Sequence, residues 1–217
     1  ANAWGLCQAG VMAGANFAMP GPMMQPKAIA ELMEGEKVTL ARLAESEPLR
    51  TEATFDSGAP SFPFGAHLAV VEVDVESGKA VVDRIVTVDD AGPVLNPLIA
   101  EGQRHGGIAQ GIAQALFEEV LFDADGNPLT ASFADYGFPS SAELPSFTLL
   151  DMATPTHLNP LGVKGIGEAG TIGATPAVQS AVVDAVAHLG VRHIDMPATP
   201  LRVWEAIQAA RESGGSS

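Results

Sequence analysis

The 217-residue sequence is poor in several things at once, and each shortage removes a class of explanation. It has one cysteine, Cys7, so it holds no internal disulfide framework and a reducing compartment is permitted. Lys and Arg number 11 against 26 Asp and Glu, a net charge of −15. That balance excludes nucleic acid as a partner, because phosphate backbones are held by clustered cations. The acid surplus reads as solubility. No apolar run approaches the roughly 20 residues of a spanning helix, so no membrane span is expected. No basic stretch precedes "ANAWGLCQAGVMAGANFAMPG", which therefore does not read as a secretory leader, and a cytoplasmic location is the expectation. The missing initiator Met is what a processed or excised piece would show. Serine hydrolase and zinc protease motifs, G-x-S-x-G and H-E-x-x-H, do not occur. His67 and His157 stand alone, and His105 reads as a helix-packing or hydrogen-bonding residue, since no second His or Cys lies at metal spacing. Met23 and Met24 read as gap fillers, and no base flanks Cys7.

What is present is a core's worth of apolar residues, 47% of the chain. Residues 1–65 are irregular, with a Pro/Met loop, "MPGPMMQP", a short helix at "KAIAELMEG" and a linker, "SGAPSFPFG". Next, "AHLAVVEVDVE" and "KAVVDRIVTVDD" alternate apolar and polar residues around "SGK", which predicts an antiparallel hairpin. Residues 99–120 have helical spacing with four internal glycines, each costing about 1 kcal/mol against alanine. Such a helix should pack its backbone closely against something. "VLFDADGNPLTA" predicts a second hairpin around Asp125-Gly126, and "SFTLLDMAT" a third strand. Two helices close the chain. One is predicted with Thr175 as N-cap, Pro176 at its first position and Gly190 as its stop; the other repeats the device with Thr199 and Pro200. Hairpins first and helices later describe an α+β fold, with antiparallel hairpins and a mixed sheet packed on helices.

The stretch "NPLGVKGIGEAGTIGATP", residues 159–176, carries one acid, Glu168, among its glycines. Gly165, Gly167 and Gly170 fit G-x-G-x-x-G, but the dinucleotide fingerprint needs a strand running into the loop and a helix starting inside it. "THLNPLGVK" intervenes, and Glu168 would repel a pyrophosphate. Successive glycines can instead let main-chain N–H groups converge on an anion. A carboxylate beside them is either a solvated loop residue or a base tuned by burial, and chemistry alone leaves both open.

"GVKGIGEAGTIGATPAVQSAVVDAV" resembles the C-terminal signature of the large, molybdenum-binding subunit of the xanthine oxidase family. That family includes aldehyde oxidoreductases, carbon monoxide dehydrogenases and N-heterocycle hydroxylases. Three more blocks resemble it in order: "PSFPFGAHLAVVEVDVESGKAVVDRIVTVDDAGPVLNP", "EGQRHGGIAQGIAQALFEEVLFDADGNPLTASFADYGFPSSAELP" and "MPATPLRVWEAI". The resemblance divides the chain into an irregular segment, 1–49, a molybdopterin-binding region, 50–210, and a flexible tail, 211–217.

The resemblance implies a function and a set of residues. Glu168 occupies the place of the family's general base, buried beside molybdenum, where it deprotonates a metal-bound hydroxyl while hydride passes to the sulfido ligand. Gln103 matches a glutamine that hydrogen-bonds the cofactor. Lys164, Gly165, Gly167 and Ala169 fall in the loop that contacts the pterin, with Lys164 either pairing with a phosphate or lying at the surface. Molybdenum is held by the dithiolene sulfurs, so no protein metal ligand is implied. The implied cofactor is molybdopterin cytosine dinucleotide, with FAD and 2Fe-2S clusters on partner subunits. The remainder of the molybdenum subunit is also a partner, and the chain alone is not expected to turn over its small-molecule substrate. An aldehyde, an N-heterocycle and carbon monoxide all remain open. So does a non-catalytic cofactor-carrier or assembly role for the same fold.

Overall fold

A computed structural model of the chain describes residues 54, 56 and 58–214. The short helix expected at residues 27–35, Met23, Met24 and Cys7 lie outside the described residues. In chain order the elements are β1 (Phe64–Val73), β2 (Ala80–Asp90), α1 (Pro97–Leu116), β3 (Phe147–Asp151), α2 (Ala169–Val186), a short 3-10 turn (Ala187–Leu189) and α3 (Pro200–Gly214). The sheet order is β1-β2-β3, with β1 antiparallel and β3 parallel to β2. This is the α+β arrangement the sequence predicts.

The hairpin forms because alternation sorts side chains to two faces. Its register shifts between Val70 and Val71, opposite Arg84 and Val82, so Asp83 is an extra residue in β2. That bulge restores the alternation, and Val82, Ile85, Thr87 and Asp89 all end up buried. Asp74 closes the turn, accepting from Glu76 N at 3.1 Å and from Ser77 Oγ at 2.5 Å. At the turn, Gly78 has φ +73° and presses on the start of α3, where a Cβ would fall 2.0 Å from the Pro200 carbonyl oxygen.

Asn96 caps α1 by accepting from Ile99 N at 3.2 Å, with Pro97 at the first helical position. Beyond α1 the predicted second hairpin shrinks to one bridge, Phe122 to Pro128, around a turn whose amides Asp123 holds. The reason is local: Pro128 has no N–H to give a ladder, and Val120, Leu121, Phe122 and Leu129 are exposed, with no neighbouring strand among the described residues to extend the pairing. The core lies between the inner sheet face and the helices. Ile85 of β2, Ile108 and Ile112 of α1, Val178, Val182 and Val186 of α2, and Val203 and Ile207 of α3 are all fully buried. The four-residue spacings are what put each helix's apolar residues on one face. Each such side chain contributes about 1.5–3 kcal/mol of burial.

The start of α2 differs from the sequence expectation. It begins at Ala169, inside the glycine loop, and Pro176 lies in the helix interior. Thr175 is not an N-cap; it is buried, and its hydroxyl reaches the Thr171 carbonyl at 3.0 Å. A Thr-Pro pair is a local start signal, but here contacts from α1 carry the helix through it. At α3 the same pair behaves as predicted: Val203 N donates to the Thr199 carbonyl at 3.0 Å.

Candidate cofactor-binding site

The glycines of α1 have two different surroundings. Gly107 and Gly111 face α2, where added Cβ atoms would fall 3.0 Å from Thr171 N and 2.7 Å from Ala174 Cβ. Gly170 returns the contact, 2.7 Å from the Arg104 carbonyl oxygen by the same measure. Helices meeting on such residues bring their main chains together, which explains the glycines as packing. Thr171 and Thr175 stitch the seam. Their hydroxyls lie 3.2 Å from the side-chain amides of Gln110 and Gln114, and Thr171 also reaches the Gly107 carbonyl at 3.0 Å. Gly102 and Gly106, by contrast, would place a Cβ with nothing within 4 Å among the described residues. Packing here does not repay their helix cost.

This crossing decides where the predicted site residues go. Gln103, half-buried, directly precedes Arg104; Glu168 stands two residues before Gly170. Contact of Gly170 with Arg104 thus brings together two segments that lie sixty-five residues apart in sequence. Gly165 is exposed with nothing within 4 Å of a Cβ position, while Gly167 and Ala169 are half-buried. Glu168 itself is exposed, at the residue before α2, and makes no side-chain capping bond. The expectation of a carboxylate walled off from solvent is not met within this chain. An open cleft of about 400 Å³ lies further along the seam, lined by Gln110, Gln114, Glu118, Tyr136 and Thr171, and neither Glu168 nor Gln103 lines it.

Lys164 is not at the surface, and its ammonium faces a carboxylate of this chain. It is buried, with Nζ 3.0 Å from Asp90 Oδ2 and 4.7 Å from the centre of the Phe64 ring. Its main-chain N–H donates to Ala91 at 2.8 Å, so both ends of the residue tie the loop to the end of β2. Asp90 is fully buried and also accepts from Gly92 N at 2.8 Å and Thr154 N at 3.0 Å. Burial pushes its carboxyl up, but these N–H groups and the Lys164 ammonium outweigh that and hold it well below the usual carboxylate range.

The neighbouring acid faces the other way, as strand alternation requires. Asp89 accepts from Arg104 Nε at 2.7 Å, Thr87 Oγ1 at 2.9 Å and His67 Nε2 at 3.0 Å. Arg104 also bonds Asp151 Oδ1 at 2.7 Å and the Leu150 carbonyl at 2.6 Å, locking α1 across β2 and β3. Burial raises Asp89; the His67 and Thr87 hydrogen bonds and the Arg104 charge more than offset it, and its carboxyl is lowered. His67, isolated in sequence, is therefore part of a buried network. His105 matches its reading: Nδ1 bonds the Glu101 carbonyl at 2.9 Å and the ring packs 5.6 Å from Phe147. The signal that could have found the network was "VDD" at the end of an alternating strand. One of two adjacent acids there must point inward, and a buried acid needs a cation. Among the described residues no group of three or more His, Cys, Asp or Glu could hold a metal ion.

The profile of the molybdopterin cofactor-binding domain family matches residues 16–145. The chain belongs to that family. The match begins within the irregular segment, 1–49, and it covers Gln103 but not Glu168. The carbon monoxide dehydrogenase large chain of Hydrogenophaga pseudoflava is 42% identical over 148 residues, which are 68% of this chain and 18% of that one. The 6-hydroxypseudooxynicotine dehydrogenase complex subunit gamma of Paenarthrobacter nicotinovorans is 39% identical over 80% of this chain and 22% of its own length. Among solved structures, reconstituted CO dehydrogenase from Oligotropha carboxidovorans superposes with a TM-score of 0.67 at 37% identity, over 70% of this chain and 19% of that one. Quinoline 2-oxidoreductase from Pseudomonas putida 86 gives 0.64 at 42% identity, over 65% and 18%. The chain thus spans about a fifth of the length of these relatives.

The residues present fit the group that defines the family. Main chain is bare at Gly102 and Gly106 on either side of Gln103, and at Gly165 before Glu168. A polar ligand can approach main-chain atoms there without displacing a side chain, and an uncharged amide stands ready to donate and accept. No helix among the described residues is long and apolar enough to cross a membrane.

Proposed function

We propose that this chain forms one wall of the cofactor site of a molybdenum hydroxylase that oxidises an aldehyde or N-heterocycle carbon with oxygen drawn from water. The observation that carries this reading is the α1–α2 crossing, which sets Gln103 and Glu168 on adjoining segments in a member of the molybdopterin-binding family. The cofactor, as molybdopterin cytosine dinucleotide, supplies the two-electron oxidation. Gln103 hydrogen-bonds it, and Gly165, Gly167 and Ala169 let main chain come close. Lys164 positions the loop through Asp90 and does not hold a phosphate. Glu168 acts as the base that takes up the proton released when water-derived oxygen is used. Its exposure here requires a cover, which the remaining polypeptide of the molybdenum subunit provides. Partner subunits with FAD and 2Fe-2S clusters would accept the electrons.

The exposure of Glu168 also favours a second reading, a cofactor-carrier or assembly role without base catalysis. Glu168→Gln in the reconstituted complex separates the two. Loss of turnover on the order of 10²–10⁴-fold at constant molybdenum content supports the base; unchanged turnover leaves only the carrier.

A further inference from the structure

A groove of about 780 Å³ runs between β1 and α2. The strand contributes His67, Ala69 and Val71 to it, and the helix contributes Gly173, Ala177 and Ala181. Helix positions four apart share a face, and none of these three has a side chain larger than a methyl group. That row of the helix lacks side-chain bulk beside the strand, and Pro176, Ser180 and Asp184 flank it.

That strand is an edge. It pairs with β2 on one side and with no other strand among the described residues. Over its ten residues, "FGAHLAVVEV", it carries no Lys, Arg or Pro, the usual protections of an exposed edge. His67 gives a second, independent mark. Its side chain is 4% exposed and lines the groove, Nε2 is engaged by Asp89, and Nδ1 is buried without a hydrogen-bond partner. With Nε2–H donated to the Asp89 carboxylate, the neutral ring leaves Nδ1 as an acceptor awaiting a donor. The ring lies against Gly173, where a Cβ would fall 2.5 Å from three ring atoms, so the helix holds it in place.

We propose that an extended strand from the remainder of the molybdenum subunit fills this groove and adds to the edge of β1 that is unpaired among the described residues. Its main chain pairs with β1, its small or apolar side chains sit over Ala177 and Ala181, and one N–H reaches His67 Nδ1. Asp184, which also lines the groove, calls for a Lys or Arg on the incoming strand. The same electrostatics argue against a second copy of this chain, since two chains of net charge −15 repel. The length of the relatives supplies the source: four-fifths of a typical large chain lies outside the matched part. The inference rests on membership of that family and not on the role of Glu168.

The test uses the isotope-labelled 217-residue chain. It is titrated with an array of synthetic ten-residue peptides, the length of β1, tiling the Hydrogenophaga pseudoflava large chain outside its matched region. A tile with alternating apolar residues should bind, protect the amides of Phe64–Val73 from hydrogen exchange and shift the His67 Nδ1 resonance. Ala177→Leu and Ala181→Leu fill the channel with a good helix former and should weaken binding on the order of tenfold or more. The unmodified chain's His67 resonance reads the same event if a variant folds poorly. The proposal is overturned if no tile binds, if both variants bind normally, if protection falls on the outer face at Val86, Val88 and Leu150, or if sedimentation shows the edge filled by a second copy. None of these outcomes bears on the Glu168→Gln experiment.

Discussion

Gly170 of α2 rests on the main chain of α1 so closely that a Cβ at this position would fall 2.7 Å from the Arg104 carbonyl oxygen and 2.8 Å from Ile108 N. Neither atom is the end of a flexible side chain, so neither can yield. Gly170→Ala must push the two helices apart, and overpacking of this kind costs about 1–3 kcal/mol. Thermal melting of the chain should show the loss, and cofactor retention in the assembled enzyme should fall with it, because Gln103 and Glu168 ride on the separated segments.

Gly102→Ala should do the opposite to the chain alone. Nothing within 4 Å meets the new methyl group, so helix propensity acts unopposed and α1 gains about 0.8–1.0 kcal/mol. If main chain at Gly102 is where the cofactor approaches, molybdenum content of the assembled enzyme should drop while the melting temperature rises. A rise in both would remove cofactor approach as the reason for this glycine.

Arg104→Met leaves Asp89 buried with its principal cation gone. Removing one partner of a buried pair costs about 3–5 kcal/mol, far beyond an ordinary surface change. Denaturant unfolding with an unchanged slope and a much lower midpoint is the expected result. The Arg202–Glu119 pair, 2.6 Å apart and about a third exposed at each side chain, gives the contrast: Arg202→Met should cost less than about 1 kcal/mol from that pair.

The two buried acids also fix a pH dependence. Asp89 and Asp90 are both lowered in the folded chain, so the unfolded chain binds protons at a pH where the folded one does not. Their stabilising contribution is therefore complete above the unfolded carboxylate range, about pH 4. It is lost progressively as pH falls below that range toward their lowered folded-state values. Urea midpoints should be flat in these groups' contribution from pH 6 to about pH 5 and fall steeply below about pH 4. Asp90→Asn should flatten part of that decline.

Lys164 and Glu168, four residues apart, should behave oppositely in the isolated chain. Lys164→Met strands the Asp90 carboxylate and should destabilise the chain strongly, whereas a lysine kept for a phosphate would leave it unchanged. Glu168→Gln touches an exposed side chain with no capping bond, and its melting temperature should move by less than about 0.5 kcal/mol equivalent. Only turnover in the complex should register the second substitution.

Much of this architecture was legible from the residues. Alternation located β1 and β2, because period two admits one way of burying an apolar face. Excess glycine in α1 announced a close helix contact, and Gly107 and Gly111 make it. The partner of Lys164 was not legible. Asp90 lies seventy-four positions earlier, and nothing local connects an acid at a strand end to a lysine in a distant loop.

The amino-acid order by itself determined the hairpin, the third strand, the start of α3 and the families of side chain available to the site. Tertiary structure decided where α2 begins, which way Asp89 and Asp90 face, and that Gly170, two residues after Glu168, meets Arg104, the residue after Gln103. The physical reason is visible in the two Thr-Pro pairs. At Thr199 the chain before the pair is not helical, Val203 N donates to the Thr199 carbonyl, and the local signal prevails. At Thr175 the Gly107–Gly111 face of α1 and the Gln114 amide support the preceding turn of helix, and those contacts outweigh what a proline alone would dictate.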